Sequence, residues 1–139
     1  MNNLTRREML LMGVAGLALA ALPLPALASL DEHIASFTGG ATPGEGDLTL
    51  EAPEIAENGN AVPISVEAPG AKRIAIFAPE NPDIFVCQWQ FGPLSGRPFA
   101  ATRIRLAGTQ VITAVAEMED GSYIAATAEV KVTIGGCGG

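Results

Sequence analysis

Ser122-Tyr-Ile-Ala-Ala-Thr-Ala-Glu-Val-Lys-Val-Thr-Ile134 decides the fold class. Ile124, Ala126, Ala128, Val130, Val132 and Ile134 fall on one side of an extended chain. Tyr123, Thr127, Glu129, Lys131 and Thr133 fall on the other. A period of two with one apolar face is the pattern of a half-buried antiparallel strand. Coiled as a helix, the same residues would be scattered around the axis with no apolar stripe.

Upstream, the same period recurs. Asp47-Leu-Thr-Leu-Glu51, Val62-Pro-Ile-Ser-Val66 and Arg73-Ile-Ala-Ile-Phe77 alternate, and Ile84–Phe91, Phe99–Leu106 and Gln110–Met118 complete the set. Turn-forming clusters separate them: Glu57-Asn-Gly-Asn60, Pro69-Gly70, Pro79-Glu-Asn-Pro82, Gly92-Pro93 and Glu119-Asp-Gly121. About seven short strands at this spacing predict an all-β, immunoglobulin-like antiparallel sandwich over residues 47–134. No pair of cysteines sits where an inter-sheet disulfide would confirm that topology. Within Gln110–Met118, Val111, Thr113, Val115 and Glu117 share one face, and Ile112, Ala114, Ala116 and Met118 share the other. A strand apolar on much of both faces suits either a central position or a subunit interface.

Residues 29–46 read as a short helix and a linker. Leu30, Ile34 and Phe37 stand at helical spacing within Ser29–Phe37, and a Gly/Thr/Pro stretch runs from Thr38 to Gly46. Residues 1–28 read as a signal peptide. Arg6-Arg7 precede a mildly apolar run to Leu22, then come Pro23, Pro25 and the small-residue end Ala26-Leu-Ala28. The paired arginines and modest hydrophobicity point to twin-arginine export and a periplasmic protein, with cleavage expected after Ala28. An uncleaved membrane anchor is the other reading of this run, and the prolines and the cleavage-type end speak against it. The remaining 111 residues suffice for one domain and carry six basic against fourteen acidic residues, a net charge of −8. So acidic a surface disfavours nucleic acid and anionic membranes as partners.

Downstream of the deciding strand comes Gly135-Gly-Cys-Gly-Gly139. Gly135, Gly136, Gly138 and Gly139 have no side chain to pack and the widest backbone freedom, so they suit a swinging arm. Cys137 lies three residues past Ile134, at most ~10–11 Å when extended. Its thiol has no neighbouring base in sequence, and the terminal carboxylate disfavours a thiolate. With a pKa of about 8.5, only a few per cent of such a thiol is ionised at neutral pH. No oxyanion hole is apparent, so the tail reads as a covalent attachment site and not as a catalytic one. His33 is the sole histidine, and its position reads as solvated surface. One histidine and two cysteines are too few for a haem, an iron–sulfur cluster or a structural zinc, so no cofactor and no metal site is expected.

Other readings of the tail compete. A frayed terminus with an incidental cysteine would leave an exposed thiol in an oxidising compartment. A prenylation box needs the cysteine fourth from the end. A Gly-Gly terminus also occurs in ubiquitin-like sulfur carriers, but these are activated in the cytoplasm and have a β-grasp fold. Cys87 shares parity with Phe85, Trp89 and Phe91 in its strand, opposite Gln88 and Gln90, which suits a buried, hydrophobe-like cysteine. The alternative is a Cys87–Cys137 disulfide, or a Cys137–Cys137 bond between chains.

The segment Glu129-Val-Lys-Val-Thr-Ile-Gly-Gly-Cys-Gly-Gly139 resembles the C-terminus of the SoxY family, the carrier subunits of the periplasmic Sox sulfur-oxidising system. The resemblance extends to Leu50-Glu-Ala-Pro-Glu-Ile-Ala-Glu-Asn-Gly59, Val62–Val66, the Glu80-Asn-Pro82 turn and Thr102-Arg-Ile-Arg-Leu106. It implies an immunoglobulin-like sandwich that forms a heterodimer with a SoxZ-like sandwich subunit. It implies that Cys137 accepts thiosulfate at a c-type cytochrome pair and that a dimanganese hydrolase then releases sulfate. Where a sulfane dehydrogenase is present, that enzyme would oxidise the remaining sulfur. The chain itself would be a non-catalytic carrier. Cys87 departs from the family pattern. A different class of function, an exported sandwich that binds partners and uses its cysteines for structural or dimeric disulfides, is the alternative.

Overall fold

A computed structural model describes residues 26–133, with side chains from Ser29 onward. The expected signal peptide up to residue 25, Ile134 and the whole Gly/Cys tail lie outside the described residues.

Among the described residues, one helix, α1 (Ala26–Thr38), precedes eight strands. These are β1 (Thr49–Glu51), β2 (Ile55–Ala56), β3 (Val62–Glu67), β4 (Ala71–Phe77), β5 (Phe85–Gln90), β6 (Phe99–Ile104), β7 (Gln110–Met118) and β8 (Tyr123–Val132). A three-stranded sheet in the order β1-β3-β6 faces a five-stranded sheet in the order β2-β8-β7-β4-β5. The predicted immunoglobulin-like sandwich is therefore the fold. The seven predicted strands are all present. The eighth, β2, is two residues long and runs parallel to β8, pairing Ile55 with Lys131 and Ala56 with Val132. Two residues are too few to show a period, so sequence pattern could not reveal it.

The core between the sheets follows the alternation. Val62, Ile64 and Val66 of β3 face Ile74 and Ile76 of β4 and Ile112, Ala114 and Ala116 of β7, all buried, with Ile124 and Val130 of β8 and Leu106 from the β6–β7 loop. Leu50, Trp89, Phe91, Ala126, Ala128 and Val132 pack around them. Burial removes apolar surface from water at roughly 25 cal/mol per Å², which is the main force holding the sheets together.

A second, smaller cluster lies on the outer face of the five-stranded sheet. Ala75, Phe77 and Val115 are buried there under Leu30, Ile34 and Phe37 of α1, with Ile84, Tyr123 and Ala125 at the sides. The helical stripe read from sequence is the face that docks. Phe37 meets both Phe77 and Tyr123 edge-on, with ring centroids 6.2 Å apart in each case. The Arg73 guanidinium lies 4.6 Å from the centre of the Phe37 ring and pairs with Glu117. The helix stops in a left-handed cap: Gly39 has φ of 69°, and the Gly40 N–H donates to the Ala35 carbonyl at 2.9 Å. Only glycine takes that backbone without strain.

This covering explains β7. It is a central strand between β8 and β4, and its second apolar face is covered by the helix at Val115. Of that face only Val111, 46 % exposed, stays open to solvent. The predicted linker is likewise packed. Gly44 bridges to Ile124, its N–H donating to Tyr123 and its carbonyl accepting from Ala125. A Cβ on Gly46 would lie 2.7 Å from Ile124 Cγ2, so only glycine passes there.

Candidate functional site

The described chain ends where the tail begins, and the last strand is held on both edges up to that point. On one edge β2 pairs with it: the Lys131 N–H donates to the Glu54 carbonyl at 2.9 Å, and the Thr133 N–H to the Ala56 carbonyl at 3.1 Å. The Thr133 hydroxyl donates to the Glu57 carbonyl at 3.4 Å. On the other edge β7 pairs from Gln110 to Glu117. Beyond it the Thr109 hydroxyl accepts the Val132 N–H at 3.0 Å.

A polar hub fixes the loops beside this exit. The Asn81 side chain donates to the Arg105 carbonyl at 2.8 Å and accepts from the Ala107 N–H at 2.9 Å. The buried Gln110 amide donates to Asn81 Oδ1 at 3.1 Å and to the Gly108 carbonyl at 3.2 Å, while its oxygen accepts the Glu80 N–H at 3.1 Å. The Leu106 N–H reaches across to the Gly59 carbonyl at 2.7 Å. The β2–β3, β4–β5 and β6–β7 loops are thereby joined at one end of the sandwich. A buried amide whose capacity is met this fully is rigid, because releasing any partner leaves a desolvated polar group.

Sequence reasoning placed the site on Cys137 with Gly135, Gly136, Gly138 and Gly139 as its arm. All five lie outside the described residues. What the structure adds is their platform. β2, Thr109 and the Asn81–Gln110 hub were not foreseen. The only sequence signal for them was the Glu80-Asn-Pro82 turn, which has a hydrogen-bonding asparagine ahead of a proline.

Cys87 is free and half-buried, packed on the core cluster beside Trp89. Its parity with Trp89 and Phe91 is as expected, but its parity with Phe85 is not. The β4–β5 pairing slips between Ile76 and Phe77, so Ile76 pairs with Cys87 while Phe77 pairs with Phe85. One extra residue in a strand reverses the side on which the next residues point. Phe85 therefore turns outward to meet Phe77, centroids 5.9 Å apart, and remains 43 % exposed.

The register also bears on the disulfide alternative. Cys87, Ile76, Ala114 and Ala126 form one row across the sheet. Three inter-strand steps put Cys87 about 14 Å from Ala126, and the seven residues from there to Thr133 climb about 23 Å, a separation of about 27 Å. Four residues from Thr133 to Cys137 reach at most ~14 Å, and a disulfide bridges at most about 7 Å between Cα atoms. An intramolecular Cys87–Cys137 bond would require β8 to unpair. Burial also pushes the Cys87 thiol pKa up. At pH 7.5 iodoacetamide should therefore modify Cys137 at least about tenfold faster than Cys87. Peptide mapping of a labelling time course measures both rates, and equal rates would contradict the packing of Cys87.

His33 is exposed on α1, its Nδ1 2.7 Å from the Ser29 carbonyl one turn earlier. Among the described residues, no three His, Cys, Asp or Glu side chains are grouped to hold a metal ion.

The family profile described as "Sulfur oxidation protein SoxY" matches residues 34–137, three quarters of the chain, and its last matched residue is the cysteine of the tail. The chain belongs to the SoxY family. Among solved structures, the sulfur carrier protein SoxY from Chlorobium limicola f thiosulfatophilum is 38 % identical. That match covers 78 % of this chain and 99 % of the other, with a TM-score of 0.67. A superoxide reductase (neelaredoxin) variant from Ignicoccus hospitalis is 18 % identical over 70 % of this chain and 86 % of its own, with a TM-score of 0.56. At that identity the likeness of the SoxY-family chain to neelaredoxin is one of fold alone. No curated protein matches the chain.

Proposed function

We propose that this SoxY-family chain is a covalent carrier of thiosulfate-derived sulfur, with Cys137 as the attachment point. The observation that carries the proposal is a family match that runs through a cysteine set between paired glycines. The Chlorobium protein, similar over nearly its whole length, is itself described as a sulfur carrier.

The chemistry assigned to the thiol balances with partners of stated class. Loading joins Cys137 Sγ to the outer sulfur of thiosulfate, releasing one proton and two electrons. The electrons pass to a c-type cytochrome pair. Hydrolysis of the bond to the sulfonate group then releases sulfate and leaves a persulfide on Cys137, with no change in electron count, and is the work of a dimanganese hydrolase. A sulfane dehydrogenase would oxidise that persulfide further. The carrier supplies no base and no oxidant to either step. Its contribution is to hold the sulfur covalently and bring it to each active site.

A SoxZ-like sandwich subunit completes the proposed heterodimer. The twin-arginine leader of residues 1–28 would deliver the pair to the periplasm, which explains folded-state export of a chain without a cofactor. Residues 47–134 would form the carrier domain and residues 135–139 the arm.

Intact-protein mass spectrometry on material from thiosulfate-grown cells tests the proposal. A series of masses that add sulfur or thiosulfonate, mapped to Cys137, is the expected result. The competing reading, an exported interaction module, predicts instead a uniform disulfide-linked species with no sulfur adducts.

A further inference from the structure

We infer that the open edge of β6 is a docking site for an extended, acidic segment of a partner protein, which would join the three-stranded sheet as a fourth strand. The inference stands apart from the carrier reading and makes no use of the tail.

The free edge follows from the pairing. β6 pairs with β3 on one side, and among the described residues no strand lies on its other side. The Ala68 N–H donates to the Pro98 carbonyl at 3.1 Å, which sets the phase of the ladder. Residue pairs of an antiparallel ladder alternate between bonded and non-bonded. Even-numbered Ala100, Thr102 and Ile104 therefore turn their backbone groups to β3. Odd-numbered Ala101 and Arg103 turn both N–H and C=O away from it, and both residues are exposed. Such a row of unpaired groups is a template for another strand.

The other edges are less suited. β1 and β2 are three and two residues long, with Pro53 between them. At β5 the Phe91 N–H donates to the Lys72 carbonyl at 2.9 Å, so Val86, Gln88 and Gln90 turn their backbone groups outward. The slip at Ile76 interrupts that edge, and the side chains of Gln88 and Gln90 carry no charge. β6 keeps one register along its whole length.

Charge names the occupant. Arg97, Arg103 and Arg105 are three of the six basic residues in the described chain. Arg97 is held by Glu67 and lies 5.1 Å from the centre of the Phe99 ring. Glu51, on the same outer face, accepts from the Ser65 hydroxyl at 3.0 Å. Among the described residues Arg103 and Arg105 have no ion-pair partner. Beside Arg103 the short side chains of Pro63, Ser65 and Ala101 leave a shallow groove. A strand added about 4.8 Å from β6 would set successive outer-face residues opposite Arg103, Ala101 and Phe99. A carboxylate beside Arg103, and apolar side chains beside Ala101 and Phe99, complete the match. A second copy is the poorer occupant. Two β6 edges in antiparallel pairing bring arginines of one opposite, or diagonally beside, those of the other, and like charges so placed repel.

The probe is a cyclised β-hairpin peptide whose open strand reads Thr-Glu-Thr-Val-Thr-Val-Thr, with a twin in which lysine replaces the glutamate. The full chain, kept reduced, is titrated with each, and amide exchange followed by NMR locates the contact. The glutamate peptide should bind at least about tenfold more tightly than its twin and should slow exchange at Ala101 and Arg103. Ala101→Pro removes a donor that points away from β3, so the fold should stand while Kd rises about fivefold. Arg103→Glu leaves the backbone unaltered and should raise Kd about tenfold. Gln88→Pro, the matching change on β5, should bind as the parent does.

No binding, equal binding of the two peptides, or protection at Gln88 in place of Ala101 would overturn the proposal. So would a parent-like Kd in Arg103→Glu, and this variant decides the matter if the proline variant does not fold. A dimer of the full chain that Ala101→Pro dissociates would give the edge to a second copy, and that too would overturn it.

Discussion

Cys137→Ser should remove sulfur loading entirely and leave the melting temperature unchanged. The reason is chemical: oxygen cannot form the sulfur–sulfur bond that loading requires, so no residual fraction of the reaction survives. The fold should not notice, because serine differs from cysteine by one atom and the flanking glycines of the tail have no side chains to pack. Incorporation of sulfur-labelled thiosulfate, with sulfate release measured in parallel, gives the answer. Sulfate release at the parent rate from the serine variant would remove Cys137 from its proposed role.

Phe77→Ala should be the most destabilising single change in the sandwich. Phe77 is 1 % exposed and lies at the junction of three elements. It is edge-on to Phe37 of α1 and to Phe85 of β5, and its backbone pairs with Thr113 of β7. Removing a buried phenyl ring costs about 3–5 kcal/mol in lost transfer energy and cavity. For a domain of this size that is a fall in melting temperature of more than about 10 °C. The loss should include the helix, since Leu30, Ile34 and Phe37 have their seat on Phe77 and Val115. Thermal unfolding followed by circular dichroism tests this, and a shift under about 3 °C would show that α1 is not held as described.

These two predictions divide the molecule into what the sequence made legible and what it did not. The period of two made seven strands readable, because each is long enough to display it. The helical stripe of Leu30, Ile34 and Phe37 was readable too. Its target was not, since nothing in one sequence says that the outer face of β4 and β7 needs a cover. The slip beside Val86 was also hidden: a bulge changes pairing without changing composition, so Phe85 reads as a companion of Cys87 until the register is known. For the candidate site the situation is reversed. Cys137 and its glycines stand out in the sequence, whereas the collar at the base, built by a two-residue strand and by amide side chains far apart in the chain, becomes visible only when the strands are placed.

The pairing of β8 on both edges has a mechanical consequence. In the proposed carrier role, a thiol held by a partner enzyme would have to be withdrawn, and a pull on the chain beyond Thr133 directed along β8 would load that strand. Ladder hydrogen bonds run across the strands. A pull along the strand therefore loads in shear, all at once, those to β7 on one side and those to β2 on the other. They do not open one by one like a zipper. In that role, β8 would thus be anchored in the orientation that best resists such a pull, and the sandwich would not unravel from its last strand.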